Sequence, residues 1–198
     1  MLHIQPHLLG WESPVLFGQW AYINSEATDP VLKQKAVRVV VDSADEIIKT
    51  ASSGGYGSTL KLNEYHWGSN RTMLSKAGVL LIAHQLNPKQ EYMDTAADQI
   101  DIVLGRNALG YSFVTGEGIA SVRYPHHRIV NSVRVLLPGF MVGGANGSGG
   151  DPVVDKIKAE NPPAKSYTDN VASYASNEYA IDYNAQLAFV LTHVAARQ

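Results

Sequence analysis

Cysteine is absent from this 198-residue chain, which excludes disulfides and thiolate chemistry and leaves the redox compartment unread. Charge is scarce as well. Asp, Glu, Lys and Arg make up 17% of the residues, and 16 Lys+Arg against 18 Asp+Glu leave a net charge of −2. A surface that tracks phosphates normally needs a marked cationic excess, so the balance argues against a nucleic-acid partner. Long apolar runs are also missing. The most apolar stretch, Ala77-Gly78-Val79-Leu80-Leu81-Ile82-Ala83, falls far short of the ~20 residues that cross a bilayer, so no membrane partner is expected. The start does not read as a signal peptide, because His3, Gln5, Pro6 and His7 interrupt any apolar region. What remains is ordinary for a folded protein: 45% hydrophobic residues, too many for a disordered chain. The surface must be largely polar but uncharged, which suits a neutral, hydroxyl-rich ligand.

Helical periodicity dominates, and clean two-residue alternation is rare. Asp29-Pro30 reads as an N-cap followed by proline in the first turn of a helix that carries Leu32, Ala36, Val39, Val40, Ile47 and Ile48 and ends at Gly54-Gly55. A second helix runs from Asn70 and stops before Pro88. A third begins at Pro88 and runs towards Gly105, and the last runs from about Asn177 through Val194. Between the third and last lies a long aperiodic stretch from Gly105 to Ser176, with a short helix near Asp151 to Ala159. Unstructured connections of that length are commonly functional. The pattern predicts helices as scaffold and irregular loops as site, with Gly143 to Gly150 as a flexible rim rather than a phosphate cradle, since it lacks the Lys and Ser/Thr of a P-loop.

Four clusters hold the residues that could carry chemistry: the aromatic turn Glu64-Tyr65-His66-Trp67-Gly68-Ser69-Asn70; Ser112 to Gly118 leading into Tyr124-Pro125-His126-His127-Arg128; Pro138 to Asn146; and Tyr167-Thr168-Asp169 with Asn177 to Ala185. Together they resemble glycoside hydrolase family nine, the inverting cellulases and related β-glucan hydrolases. Ser112-x-Val114-Thr115-x-x-Gly118 with Pro125-His126-x-Arg128 follows the family's histidine signature, and Tyr167-x-Asp169 with Tyr174, Glu178, Ala180 and Asn184-Ala185 follows its acidic signature. Ala120 departs from the first signature, where the family favours Asn, Lys or Arg. The resemblance covers roughly Asn63 to Ala196 and implies an all-α fold, part of an (α/α)6 barrel, with residues 1–198 forming one partial domain from the C-terminal half of the catalytic domain.

The resemblance also implies roles. Glu178 is the general acid, Asp169 the second signature carboxylate in an electrostatic or positioning part, and His126 and Arg128 the pair that holds the sugar beside the scissile bond. Trp67 and Tyr183 are candidate sugar platforms. Taken without the family context, each has a plainer reading: a helix-capping glutamate, a turn aspartate, a structural His–Arg pair, and core aromatics. Adjacent residues of an extended chain point to opposite faces, so His126 and Arg128 are expected to enter the cleft while His127 turns away. If Glu178 opens the last helix, the positive helix end favours its ionised form, whereas an acid working near neutrality needs desolvation or a neighbouring negative charge. Asp169 is one candidate for that charge. Metal chemistry is not expected, for no His-x-His or His-Glu-x-x-His pattern occurs. The resemblance requires no cofactor and leaves room for structural calcium, though no EF-hand-like loop is present.

One part of the family pattern is missing. Family members activate the attacking water with one aspartate of an Asp-Ala-Gly-Asp motif, and no such motif occurs here. The nearest sequence, Asp42-Ser43-Ala44-Asp45, lies inside a helical segment and reads as an exposed helix face. The base is therefore expected outside this chain, which alone should bind a β-glucan weakly and hydrolyse it poorly. A half-barrel should expose an apolar face and associate with an N-terminal half or with itself. Full-length family members are expected to be secreted. Two other readings stay open: a non-catalytic carbohydrate-binding fragment, and a helical interaction module with no sugar function.

Overall fold

A computed structural model describes residues 14–196, which are all-α, with only isolated β-bridges and no strand among the described residues. The helices are α1 (Val15–Asn24), α2 (Pro30–Ser52), α3 (Ser69–Leu86), α4 (Gln90–Val103), α5 (Arg128–Val133), α6 (Pro152–Glu160), α7 (Tyr174–Asn177) and α8 (Ile181–Ala195). Asp29 does cap α2, its Oδ1 accepting from the Val31 and Leu32 amides at 2.8 and 2.9 Å, and Pro30 occupies the first turn, where its missing N–H costs nothing.

α3 is the centre. It packs on α2, α4 and α8, and every residue from Ser69 to Ala83 is buried. A helix enclosed on all sides has no polar stripe, so polar residues within it must find partners. Lys76 does so by donating to the Thr59 carbonyl at 2.9 Å and to Glu64 Oε2 at 2.5 Å. Burial holds its ammonium below the ordinary lysine value against the opposing pull of Glu64. That pair anchors the short 3-10 turn Leu62–Glu64, from which the chain enters the aromatic turn.

The Asp42–Asp45 segment corrects one expectation. Asp42 is exposed, but Ser43 and Ala44 are buried, and Asp45 accepts from Lys89 at 2.6 Å and from the Tyr92 hydroxyl. It ties α2 to the start of α4 while its side chain stays partly exposed. The Gly143–Gly150 segment corrects another. Gly143, Gly144, Ala145 and Asn146 are all buried, because side-chain amides complete the backbone pairing that a strand or helix would supply. Asn146, fully buried, donates to the carbonyls of Gly149 and Ala175 and accepts from the amides of Ser148 and Gly149. Asp151 caps α6 with one carboxylate oxygen and receives Ser173 Oγ and the Ala175 amide on the other. Gly143 to Asn146 form a packed floor, while Ser148 and Gly150 reach the surface.

Candidate active site

Three chain segments meet at the site. Residues around His126, Glu178 and Val142 lie side by side, joined by a parallel bridge between His126 and Glu178 and an antiparallel bridge between Val142 and Tyr179. The His126 amide donates to the Asn177 carbonyl at 2.8 Å, and the Gly143 amide donates to the Glu178 carbonyl at 2.9 Å. Glu178 is therefore held in extended backbone between α7 and α8, with φ −83° and ψ 155°. It does not open the last helix, which starts at Ile181 with Ala180 as its cap. The expected conflict with the helix dipole disappears, because that effect fades within the first turn.

The half-buried Glu178 carboxyl has one well-defined donor. Trp67 Nε1 lies 2.8 Å from Oε1. The Trp67 ring, 40% exposed, is tilted against Tyr174 with centroids 5.6 Å apart, and Tyr174 in turn meets the His126 ring edge-on at 5.7 Å. Trp67, Tyr174 and His126 thus line one partly open wall beside Glu178. Tyr174 was matched in the sequence only as a signature position; its part in this wall follows from α7, a single turn with no detectable periodicity.

His126 Nδ1 lies 2.6 Å from the Val171 carbonyl. A carbonyl only accepts, so Nδ1 carries the hydrogen and Nε2 of the neutral ring keeps a free lone pair. Arg128 departs from the expected alternation. The chain becomes helical at Arg128, the first residue of α5, where the side chain is exposed. His127 is neither idle nor directed at the cleft. Its side chain caps α5 through the Val130 amide and stacks on Tyr179, centroids 4.4 Å apart.

Asp169 serves the chain itself. Oδ1 accepts from the Tyr124 amide at 2.9 Å and from Asn177 Nδ2 at 3.1 Å, and Oδ2 accepts from the Tyr111 hydroxyl at 2.9 Å and the Arg123 amide at 2.8 Å. With both oxygens occupied, this carboxylate braces the histidine segment against the residue preceding Glu178. Tyr183, expected as a sugar platform, is 7% exposed and lies under the aromatic turn, where its hydroxyl would be 3.0 Å from a Cβ added at Gly68. A buried ring has no open face for a sugar. Its role is to support the turn. A cavity of about 520 Å³ opens beside that turn, lined by Tyr65, Ser69 and Asn70 together with the end of α2, but not by Glu178 or His126.

Burial gives the site region a distinct alkaline chemistry. It pushes the Tyr183 phenol up to about 12, with the Glu178 and Asp182 carboxylates adding to the rise. Tyr92, Tyr111, Tyr167 and Tyr179 are raised as well, in each case chiefly by burial. A raised native value means that the unfolded chain releases its proton first. The stabilisation is complete below pH ~10 and is lost as pH rises towards and through the native values. Ultraviolet titration of tyrosinate should show a late group of phenols that ionises only with unfolding. A single smooth transition near the ordinary tyrosine value would contradict this.

Comparison with known proteins assigns the class. The family model for glycosyl hydrolase family 9 matches residues 10–191, and the chain belongs to that family. Endoglucanase D of Acetivibrio thermocellus is 32% identical over 185 residues, 91% of this chain and 27% of that protein. The crystal structure of a family 9 endoglucanase, J30, is 43% identical with a TM-score of 0.93, covering 96% of this chain and 36% of that one. AaCel9A, solved in complex with a cellobiose-like isofagomine, is 29% identical with a TM-score of 0.87, covering 98% of this chain and 37% of that one. The helical architecture is thus that of part of a family 9 barrel, and the chain spans only 27–37% of these relatives.

Proposed function

We propose that this segment forms one wall of a β-1,4-glucan hydrolase site in which Glu178 is the general acid of an inverting reaction. The observation that carries the reading is the placement of the Glu178 carboxyl beside a partly open aromatic wall, with its backbone fixed by bridges to His126 and its neighbour Tyr179 paired to Val142. The Trp67 and Tyr174 rings suit the apolar face of a pyranose. His126 Nε2 accepts from a sugar hydroxyl, and Arg128, at the exposed start of α5, donates guanidinium N–H groups to sugar hydroxyl oxygens once substrate is bound.

In the reaction the protonated Glu178 carboxyl gives its proton to the glycosidic oxygen as the C1–O bond breaks, and the bonding pair stays with that oxygen. Water adds to C1 from the opposite face and loses a proton to a second carboxylate ~6.5–9.5 Å away from the first. The Asp-Ala-Gly-Asp motif that the family uses for this is absent from the sequence, and Asp169 is committed to the chain's own donors. The base is thus assigned to residues beyond this sequence. A polymeric glucan does not cross a membrane, so the site is assigned to the cell exterior.

The test uses the chain as it is. Calorimetric titration with cello-oligosaccharides should show weak binding, and reducing-sugar release should be near background. Azide, a nucleophile with no proton to lose, should then restore cleavage and give an α-configured glycosyl azide. Strong turnover without azide would refute the missing-base argument. Binding with no azide product would favour the competing reading, a non-catalytic sugar-binding fragment.

A further inference from the structure

We propose that Trp67 is a positioning residue for proton transfer, and that its indole N–H fixes which oxygen of Glu178 carries the transferable proton. This rests on the reading of Glu178 as the general acid. An indole N–H donates and never accepts. Its 2.8 Å contact with Oε1 therefore makes Oε1 the acceptor and leaves the carboxylic hydrogen on Oε2. Without such a donor the two oxygens are equivalent, and a proton on the wrong one is turned away from the substrate.

The donor is held firmly. Gly68 follows Trp67 in the left-handed region at φ +78°, with Tyr183 packed beneath it. On the far side the indole runs so close to Gly150, φ +130°, that a Cβ there would meet Cε3 at 3.4 Å. Tyr174 leans on the same indole. Packing on these sides fixes the ring before any substrate arrives, which is what a precise hydrogen bond needs.

The contact also has the right energetic sense. When Oε2 gives up its proton, charge spreads to Oε1, and a neutral hydrogen bond becomes a charge-assisted one, shorter and stronger. The indole thus contributes more in the transition state than in the resting acid, and this difference is what accelerates a reaction. A sugar platform alone has no such dependence. Trp67 can serve both ends, its ring meeting sugar and its N–H meeting Glu178.

Two measurements test this. In the full chain, the indole Nε1–H resonance of Trp67 should follow the ionisation of Glu178 and stay protected from solvent exchange on both sides of it. The charged and titratable groups around it are His66, whose Nδ1 lies 3.0 Å from the Trp67 carbonyl, His126, Tyr174, Asp182, Arg71 and Tyr183, whose phenol also meets the indole and is pushed up to about 12. Glu178→Gln keeps an acceptor oxygen but has no ionisation, so the part of the pH response that belongs to Glu178 should vanish, leaving only that of His66 and His126, while protection remains. A Trp67 resonance that exchanges freely, or one that responds identically in Glu178→Gln, overturns the proposal.

The second measurement is cleavage, with azide present, of an unactivated cello-oligosaccharide and of a dinitrophenyl cellobioside, whose leaving group needs no proton. Trp67→Phe should lower the first by about 10–100-fold, a part of the roughly 10²–10⁴ that a positioned acid contributes, and leave the second within about threefold. Equal losses on both substrates would reduce Trp67 to a binding platform and refute the proposal. If Glu178→Gln leaves cello-oligosaccharide cleavage intact, the acid assignment falls instead, and the two failures are told apart.

Discussion

Glu178→Gln is expected to lower cleavage of cello-oligosaccharides by about 10²–10⁴-fold while leaving their affinity within a few-fold. Glutamine has the same shape, and its carbonyl still accepts from Trp67 Nε1, which lies 2.8 Å from Oε1 in the parent chain. The backbone is unaffected, because the Glu178 carbonyl accepts from the Gly143 amide whatever the side chain. What is lost is the proton. The leaving sugar must then depart as an alkoxide, so the loss should fall on unactivated substrates and spare aryl glycosides with acidic leaving groups. Measuring the two substrate types side by side, with azide supplying the nucleophile, isolates this loss from any change in binding. Near-parental cleavage of the oligosaccharide would remove Glu178 from the mechanism.

The helical scaffold was readable because its signals are local. Asp29-Pro30 announces α2 by its own chemistry, and Asp151-Pro152 does the same for α6. The aperiodic stretch reads as irregular and its Gly143–Gly150 part as a flexible rim, whereas Gly143 to Asn146 are buried. Glycine in a sequence suggests freedom, yet whether a glycine is mobile depends on what packs against it, and that is non-local. The missing signal was the set of asparagines. Asn70, Asn146 and the pair Asn177 and Asn184 come from three separate parts of the sequence, and each spends its side-chain amide on the backbone of this region. The position of Glu178 was misread for a related reason. Helical spacing after Asn177 extends the last helix to include it, whereas the bridges of Glu178 to His126 and of Tyr179 to Val142 hold these residues in an extended form. Pairing between residues 52 and 37 positions apart leaves no local pattern. The roles of His127 and Tyr183 were hidden in the same way, since capping and burial depend on neighbours that only the fold supplies.

Gly144→Ala should be among the most destabilising single substitutions in the molecule. Gly144 has φ +92°, and a Cβ there would stand 2.4 Å from both Cγ and Oδ1 of Asn70. Asn70 cannot give way cheaply. It is 1% exposed, its Nδ2 donates to the Val142 carbonyl at 2.9 Å, and its amide donates to Gly143 at 3.0 Å. Left-handed backbone costs an alanine about 1–2 kcal/mol, and a buried polar group that loses its partner costs a further ~1–3 kcal/mol. With the overlap itself added, the total is about 3–5 kcal/mol, a large share of the ~5–15 kcal/mol that holds a typical domain together. Gly139 separates the causes. It has φ +85° but nothing within 4 Å of its Cβ position, so Gly139→Ala should cost only the backbone share. Urea unfolding of both variants reads the difference directly. Gly144→Ala should fold poorly or melt early, and Asn70→Ala introduced alongside it should recover part of the loss by removing the overlap. Equal midpoints for Gly144→Ala and Gly139→Ala would mean that the floor beneath Glu178 yields, and that Glu178 is not held by the packing described here.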